Sequence, residues 1–228
     1  MQAVQLADAV YDMVSQADVG RTVDKILGTA AALTPAAEVG VFRLHDERRV
    51  EIAGTSGARA RRADELQLDY GEGPCLSAAL GRKVCLLNDT HDDDRWTRWS
   101  ATVAELGWRS VLSLPLALRE AGIGALNLYA TQPRSFRDED VERAQVFARH
   151  ASVALGVRIT EERLKQAMAD QHVLGQAKGI LMERYGLSRE RAQTVIEQHA
   201  TTTGLLLCEV SQLIIDTRRL PTKSERLG

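Results

Sequence analysis

Hydrophobic residues in the first part of the chain change from a helical to a strand-like spacing. Apolar side chains recur every three or four positions in residues 3–16 and again in residues 23–33, which predicts two amphipathic helices. The second helix should end at Thr34, because the residue before Pro35 disfavours helical geometry. The runs EVGVFRLH and RRVEIAGTSG are short and β-rich, and with the intervening DERR they predict a hairpin.

The middle of the chain alternates short helices with strands. YGEGPC predicts a glycine turn, and a short helix and a strand around residues 84–87 follow it. DDDRWTRWSATVAELGW predicts a helix with an acidic first turn, which suits the positive end of a helix. RSVLSLPLAL and IGALNLYA, joined by REAG, predict an antiparallel hairpin. A long helix follows, with Ser135 or Asp138 as its candidate cap.

A heptad spacing begins at Val153. Apolar positions alternate steps of four and three residues, which predicts a dimeric coiled coil in a linker helix over residues 151–173. The alternative is one long helix that packs against its own domains. The predicted dimer seam consists of Val153, Val157, Leu164, Ala167 and Leu174, with the polar Thr160 and Gln171 between them.

The C-terminal part predicts three helices. A stripe from Leu174 to Tyr185 ends at Gly186, where a helix C-cap is expected. Ser188 should cap the second helix, and Gly204 should separate it from the third. Three helices of this length enclose a small core, so we expect support from the preceding helix or from a partner chain.

Composition limits the classes of function. The 228 residues carry a formal charge of −2, so a nucleic-acid contact would need a local basic patch. Three widely spaced cysteines (Cys75, Cys85, Cys208) argue against a disulfide framework or a zinc site. The N-terminus lacks the pattern of a signal peptide and no apolar run approaches 18 residues, so we expect a soluble cytoplasmic protein without a membrane partner.

Sequence motifs of catalysis do not occur in the chain. It contains no G-x-S-x-G, H-E-x-x-H or G-x-x-x-x-G-K-[ST], and its five histidines are scattered. We therefore expect no enzymatic activity, and the sequence identifies no cofactor and no metal.

Two stretches resemble known families. Residues from Leu164 to Pro221 resemble an ANTAR domain, the RNA-binding antiterminator module of bacterial regulators, through AKGILMERYGLS and the following A and HA. The first 150 residues resemble the GAF domain that often precedes this module, especially in actinobacterial proteins. GEGPC, DRW, RSVLSLPL and GALNLYA occur there in the order that the family shows. The GAF resemblance implies an antiparallel sheet flanked by helices.

The fold class and the domain boundaries follow from both arguments. We expect an α+β GAF-like sensor domain over residues 1–150 and a coiled-coil linker helix over residues 151–173. An all-α, three-helix ANTAR-like domain should occupy residues 174–221, with a tail over residues 222–228.

Two glycines interrupt the helix that carries the ANTAR resemblance. Gly175 and Gly179 should each cost roughly 1 kcal/mol against alanine in a helix interior. Either Gly179 allows close packing of another helix, or the surface gives RNA access to the backbone. In the second case the ammonium of Lys178, next to the glycine, would donate hydrogen bonds to an RNA phosphate. The candidate RNA-binding residues are Gly175, Ala177, Lys178, Gly179, Arg184, Arg189, Arg191 and His199.

This chain departs from the ANTAR family in two places. Gln171 stands where an arginine is frequent, and TGLLLCEV has leucines where asparagine and basic residues are frequent. Both departures remove positive charge, and they leave a protein-contacting surface around Leu205 and Leu206 as an alternative.

A GAF resemblance implies a cavity over the sheet. The candidate pocket residues are Gly71, Gly73, Cys75, Asp94, Trp96, Leu114 and Asn127. Cys75 opens a helix and has either a redox or ligand role or a space-filling one. Asp92, Asp93 and Asp94 either hold a cation or form an acidic loop before a helix.

Two main functions compete. In the first, a ligand or redox signal at the GAF domain changes a homodimer, and the ANTAR domains bind a two-hairpin antiterminator in nascent mRNA. In the second, the C-terminal helices bind a protein partner. A third, an enzyme acting in the GAF cavity, has no acid–base pair to support it.

Overall fold

The structure divides into two compact units along the chain. The computed structural model describes residues 3–45, 49–118 and 121–220. Its units are residues 1–160 and residues 161–228, called here the sensor unit and the C-terminal unit. The predicted tail lies outside the described residues, as do parts of the turns DERR and REAG. In the described part of the chain, no helix is both long and apolar enough to cross a membrane.

The sensor unit is built on one antiparallel sheet of five strands in the order β2-β1-β5-β4-β3. The strands are β1 (Glu38–Leu44), β2 (Val50–Thr55), β3 (Cys85–Leu87), β4 (Ser110–Leu118) and β5 (Ala121–Ala130). The helices are α1 (Ala3–Val14), α2 (Val19–Leu33), α3 (Ala58–Tyr70), α4 (Pro74–Gly81), α5 (Thr97–Glu105) and the first part of α6 (Asp138–Tyr185). Both predicted hairpins and the first two predicted helices are confirmed.

The sheet separates two layers of helices because successive side chains of a strand point to opposite faces. On one face, Leu114 and its β4 and β5 neighbours pack with α1, α2 and α6 in the larger core cluster. On the other face, Val111 and Tyr129 pack with α3 and α5, and Phe42 packs with α4.

Helix α3 was not expected from the sequence. Its sequence, ARARRADELQLDY, is too charged to show an obvious apolar stripe, yet Ala60, Ala63 and Leu66 are buried. Glu38 on β1 anchors the first turn, since its carboxylate accepts a hydrogen bond of 2.7 Å from the backbone N–H of Ala60.

Helix α5 begins later than its acidic sequence predicts. The expected acidic first turn is wrong, because α5 starts at Thr97 with no acidic residue in its first turn. Glu72, distant in sequence, supplies the charge instead. Its Oε1 accepts hydrogen bonds from the backbone N–H groups of Arg98 at 2.9 Å and Trp99 at 3.0 Å.

Helix α6 runs unbroken through both predicted domain boundaries, 150/151 and 173/174. Neither candidate residue caps the N-terminus of α6. The Ser135 hydroxyl donates to the Gln132 carbonyl oxygen, and Asp138 is the first residue of the helix itself. The Asp140 carboxylate instead accepts from the Arg137 N–H at 3.1 Å.

The predicted dimer seam divides into open and buried positions. Val153 is 46% exposed and Leu164 is 61% exposed, while Ala167 is exposed and Val157 is partly buried. Leu174 does not belong to the seam, because it is buried in the core of its own unit. The dimer itself stays a prediction.

The C-terminal unit consists of the end of α6, α7 (Arg189–Thr203) and α8 (Leu207–Thr217). The predicted helix ends and the predicted N-cap in this unit are confirmed. Gly186 and Gly204 have φ of 64° and 73°, and the Ser188 hydroxyl accepts the Arg191 N–H at 3.2 Å. The core contains Leu174, Ala177, Leu181, Ala192, Ile196, Val210 and Ile214.

Candidate functional site

A buried polar network lies inside the sensor unit, between α3 and the sheet. The Oδ1 atom of Asp64 accepts hydrogen bonds from the Tyr129 hydroxyl at 2.6 Å and from the Asn127 amide at 2.7 Å. A longer bond of 3.4 Å comes from the Gln67 amide. Because Asn127 and Tyr129 both lie on β5, their two hydrogen bonds to Asp64 hold α3 against that strand.

The second oxygen of Asp64 has no such support. Within the described residues, Oδ2 is buried and has no hydrogen-bond partner. It lies against Gly40 so closely that a Cβ at residue 40 would be 2.1 Å from it. Burial raises the pKa of Asp64 from 3.8 to about 7, since an ionised carboxylate loses its hydration there.

The network reaches Cys75 through Gln67. The Gln67 Oε1 atom accepts a hydrogen bond of 2.7 Å from the Cys75 N–H, and its side chain fills the space where Gly73 would carry a Cβ. Burial raises the pKa of the Cys75 thiol well above its usual value. A reactive cysteine needs the opposite shift, so the geometry favours the space-filling interpretation of Cys75.

The seven predicted pocket residues do not line one cavity. Cys75 and Asn127 are buried in the network, whereas Leu114 points to the other face of the sheet with α2 and α6. Gly71 and Asp94 are exposed. Trp96 is nearly buried and donates from its indole to the Ser77 hydroxyl at 3.2 Å.

Among the open grooves of the sensor unit, two lie beside the acidic loop that precedes α5. One, of about 550 Å³, runs along α5 and is lined by Thr90, His91, Thr97, Ser100 and Glu105 among others. The other, of about 400 Å³, is lined by Asn88, Asp89, Asp93, Arg95 and Arg134 among others. Neither contains a residue of the predicted pocket.

Acidic residues around the second groove are compensated by arginines. Asp93 pairs with Arg95, and Asp89 receives two hydrogen bonds from Arg109, at 2.7 and 3.0 Å. These bonds lower the pKa of Asp89 to about 2. Throughout the described ranges, no three His, Cys, Asp or Glu side chains are placed to hold a metal ion. Because Asp93 already pairs with Arg95, the acidic-loop interpretation fits better than a cation site.

Sequence reasoning missed Asp64 and Gln67, which organise this interior. The available signal was their spacing of three residues on the same side of α3 as the buried alanines. A run with three arginines and three acidic residues conceals that signal. Tyr129 was missed for another reason, because its partner is 65 residues away.

The C-terminal unit presents an open strip on α6, called here the glycine ridge: Gly175 and Gly179, with Met168 and Met182 at its ends. Both glycines are exposed, and a Cβ on either would meet nothing within 4 Å. Met168 is 66% exposed and Met182 is 37% exposed. The close-packing explanation of Gly179 is therefore wrong for this unit.

Three residues of the predicted RNA-binding set do not fit the ridge. Ala177 is fully buried in the core, so it cannot contact RNA directly. Nine residues separate Arg184 from Gly175, so at 3.6 residues per turn it lies on the opposite side of α6. His199 is partly buried and its Nε2 atom is enclosed, so this nitrogen is not available to contact RNA.

Lys178 lies at the edge of the glycine ridge that faces α7. Its ammonium donates a hydrogen bond of 3.4 Å to the Gln193 side chain. Arg189 and Arg191 are exposed at the start of α7. None of these three cations is in an ion pair with any residue the structure describes.

Solved structures share the sensor fold. A GAF domain of a phosphoenolpyruvate-protein phosphotransferase from Coxiella burnetii has 17% identity and a TM-score of 0.56, over 73% of this chain and 99% of that chain. The corresponding Acinetobacter GAF domain has 14% identity and a TM-score of 0.56, over 72% and 99%. Free methionine-R-sulfoxide reductase from Neisseria meningitidis, in complex with its substrate, has 17% identity and a TM-score of 0.52, over 68% and 89%.

Family models identify both units. No curated protein sequence matches the chain significantly. A model of the GAF domain matches residues 16–156, and a model of the ANTAR domain matches residues 162–215. The protein therefore belongs to the GAF family and, because an ANTAR domain follows, it is in general terms a signal-responsive antitermination regulator that joins a sensor to an RNA-binding module.

Proposed function

We propose that the C-terminal unit binds paired RNA hairpin loops through the glycine ridge, and that a homodimer presents two such units to a two-hairpin antiterminator in nascent mRNA. The observation that carries this proposal is the open space at Gly175 and Gly179 beside Lys178. Unstacked loop bases need a surface that they can approach closely, and the phosphates of the loop need a cation.

The ANTAR domain has no net charge, so its contacts with RNA phosphates depend on a few local cations. Residues 162–215 contain six Lys and Arg and six Asp and Glu, so their net charge is zero. Lys178, Arg189 and Arg191 are exposed or partly exposed and unpaired within the described structure. We therefore expect few phosphate contacts and a modest affinity for one hairpin.

A dimer would compensate for that modest affinity. If the open seam positions Val153 and Leu164 pack against a second copy, two C-terminal units are linked. The second hairpin then binds at an effective concentration on the order of millimolar, without any new contact. The sensor unit would regulate this state in response to a small-molecule ligand. The burial of Cys75 favours such a ligand over a redox signal.

The GAF and ANTAR domains that match this chain are regulatory and sensory domains. We therefore assign no reaction to the grooves of the sensor unit.

The decisive experiment is a gel-shift assay on the full chain. The probe is a pool of two-hairpin RNAs with randomised loops, and the variants are Lys178→Ala and Gly179→Ala. Both should lose about tenfold or more in affinity. Gly179→Ala should at the same time stabilise the C-terminal unit by about 1 kcal/mol, because alanine is the better helix former and its Cβ meets no atom. Unchanged affinity in both variants would place the RNA elsewhere.

A protein partner is the second candidate function. Leu206 is 65% exposed before α8, and Leu205 beside it is partly buried. Salt separates the two candidates, because RNA affinity falls steeply with ionic strength and an apolar contact does not. Binding that survives high salt and is lost in Leu206→Ser would favour the protein partner.

A further inference from the structure

Two hydrogen bonds in series connect Lys178, at the edge of the glycine ridge, to side chains of α7. The Lys178 ammonium donates to the Gln193 Oε1 atom at 3.4 Å. The Gln193 Nε2 atom donates in turn to the Glu197 Oε1 atom at 2.9 Å. Gln193 and Glu197 are one helical turn apart on α7, so their side chains lie on one face.

Glu197 determines which end of the Gln193 amide faces the lysine. A glutamine amide has an acceptor oxygen and a donor NH₂ group, and the surrounding network decides its orientation. Because a carboxylate can only accept, Glu197 takes the NH₂ group and leaves the oxygen directed at Lys178. Without Glu197, the amide could turn its NH₂ group towards the ammonium and repel it.

An amide acceptor differs from the carboxylate acceptors of the sensor unit. Asp89 neutralises Arg109 while it orients it, whereas Gln193 restrains the Lys178 ammonium without cancelling its charge. An ammonium has three N–H donors, and this contact uses one. Two donors and the full charge remain for a phosphate, and part of the side-chain entropy is already lost before binding.

We propose that Gln193, oriented by Glu197, is a positioning residue that holds the Lys178 ammonium at the edge of the glycine ridge, ready for an RNA phosphate. This inference rests on the proposed function of the ridge. It adds two α7 residues that do not touch RNA themselves.

The first test is Gln193→Leu, which removes the acceptor at nearly constant volume. Binding of the full chain to the two-hairpin RNA pool is measured over a range of salt concentrations. We expect a three- to tenfold loss of affinity and a decrease of about 0.7 in the slope of log affinity against log salt, the value for one single-strand phosphate contact. Gln198→Leu, at an exposed glutamine of the same helix, is the matched control and should leave both quantities unchanged.

Glu197 offers a pair of variants that carry the same charge. Glu197→Gln keeps an acceptor for the Gln193 amide, so affinity should equal or exceed that of the wild type. Glu197→Leu removes the same negative charge but no longer orients the amide, and it should bind about threefold more weakly than Glu197→Gln. A purely electrostatic role for Glu197 predicts equal affinities and would overturn the proposal. This pair also provides the test if Gln193→Leu fails to fold.

The background variant Lys178→Met distinguishes this inference from the proposed function. In that background Gln193→Leu should cause no further loss, because the group that it positions is gone. An additive loss would overturn the positioning role. If Lys178→Met loses affinity while Gln193→Leu keeps both its affinity and its salt slope, only this inference fails. If the wild type ignores the RNA pool at low salt, the proposed function fails and this inference fails with it.

Discussion

Cations in the two units have different surroundings. In the sensor unit many arginines are matched with carboxylates, among them Arg109 with Asp89 and Arg95 with Asp93. In the C-terminal unit Lys178, Arg189 and Arg191 have no ion pair among the described residues. A matched cation gains little from a phosphate, because a carboxylate already compensates its charge. A formal charge of −2 for the whole chain therefore conceals a local capacity for anions.

Glycines also have different surroundings in the two units. Gly40 in the sensor unit leaves room for Asp64, because a Cβ there would meet a buried oxygen. Gly175 and Gly179 leave open surface instead. In the first unit the missing side chain permits a buried polar network, and in the second it exposes backbone. Similar substitutions should therefore affect stability in one unit and binding in the other.

The largest effect is expected from Asp64→Asn. The folded-state pKa of Asp64 is raised from 3.8 to about 7, so its contribution to stability is fully present below about pH 4 and is lost as the pH rises through 7. Asparagine is neutral at every pH and should remove this loss. We expect the variant to exceed the wild type in free energy of unfolding by about 4 kcal/mol at pH 8, measured by urea denaturation between pH 5 and 8.

Asp89→Asn is the control for that experiment in the same unit. The pKa of Asp89 is lowered to about 2 by its hydrogen bonds from Arg109, so its contribution is present above pH 4 and is lost only as the pH falls towards 2. Its removal should not alter the dependence of stability on pH between 5 and 8. A wild-type pH dependence in Asp64→Asn would show that another group titrates.

The second prediction applies one substitution to both units. Gly40→Ala places a Cβ 2.1 Å from the Asp64 Oδ2 atom, and the three hydrogen bonds on that carboxyl group prevent it from moving away. We expect the sensor unit to lose about 2 kcal/mol of stability from overpacking. Gly175→Ala should stabilise the C-terminal unit by about 1 kcal/mol. Thermal unfolding followed by circular dichroism checks both signs, and equal signs would contradict the comparison.

Much of the fold could be predicted from the sequence because local signals determine it. The hairpins, the helix ends at Gly186 and Gly204 and the cap at Ser188 all depend on neighbouring residues. Helix α3 was missed because its buried side is made of small and polar residues within a charged run.

The interior of the sensor unit could not be predicted in this way. Asp64, Asn127 and Tyr129 meet only after strand pairing brings distant segments together. Leu114 was assigned to the wrong face because the pairing register of β4 was unknown. On the C-terminal unit, spacing predicted the apolar stripe that begins at Leu174, but Ala177 was grouped with the glycines although it is buried in the core. The same spacing could not show that Lys178 faces Gln193.

The smallest effect is expected from single arginines at the start of α7. Arg189→Ala and Arg191→Ala should each weaken binding to the two-hairpin RNA pool about threefold, because each removes an exposed cation that forms no ion pair in the described structure. The slope of log affinity against log salt should decrease by up to about 0.7 for each RNA phosphate that the variant no longer neutralises. Arg62→Ala is the matched control in the sensor unit, since Arg62 is exposed but pairs with Glu65. It should change neither affinity nor slope. If all three arginine variants reduce the slope equally, RNA responds to the net charge of the whole protein, and the difference between matched and unmatched cations has no role in binding.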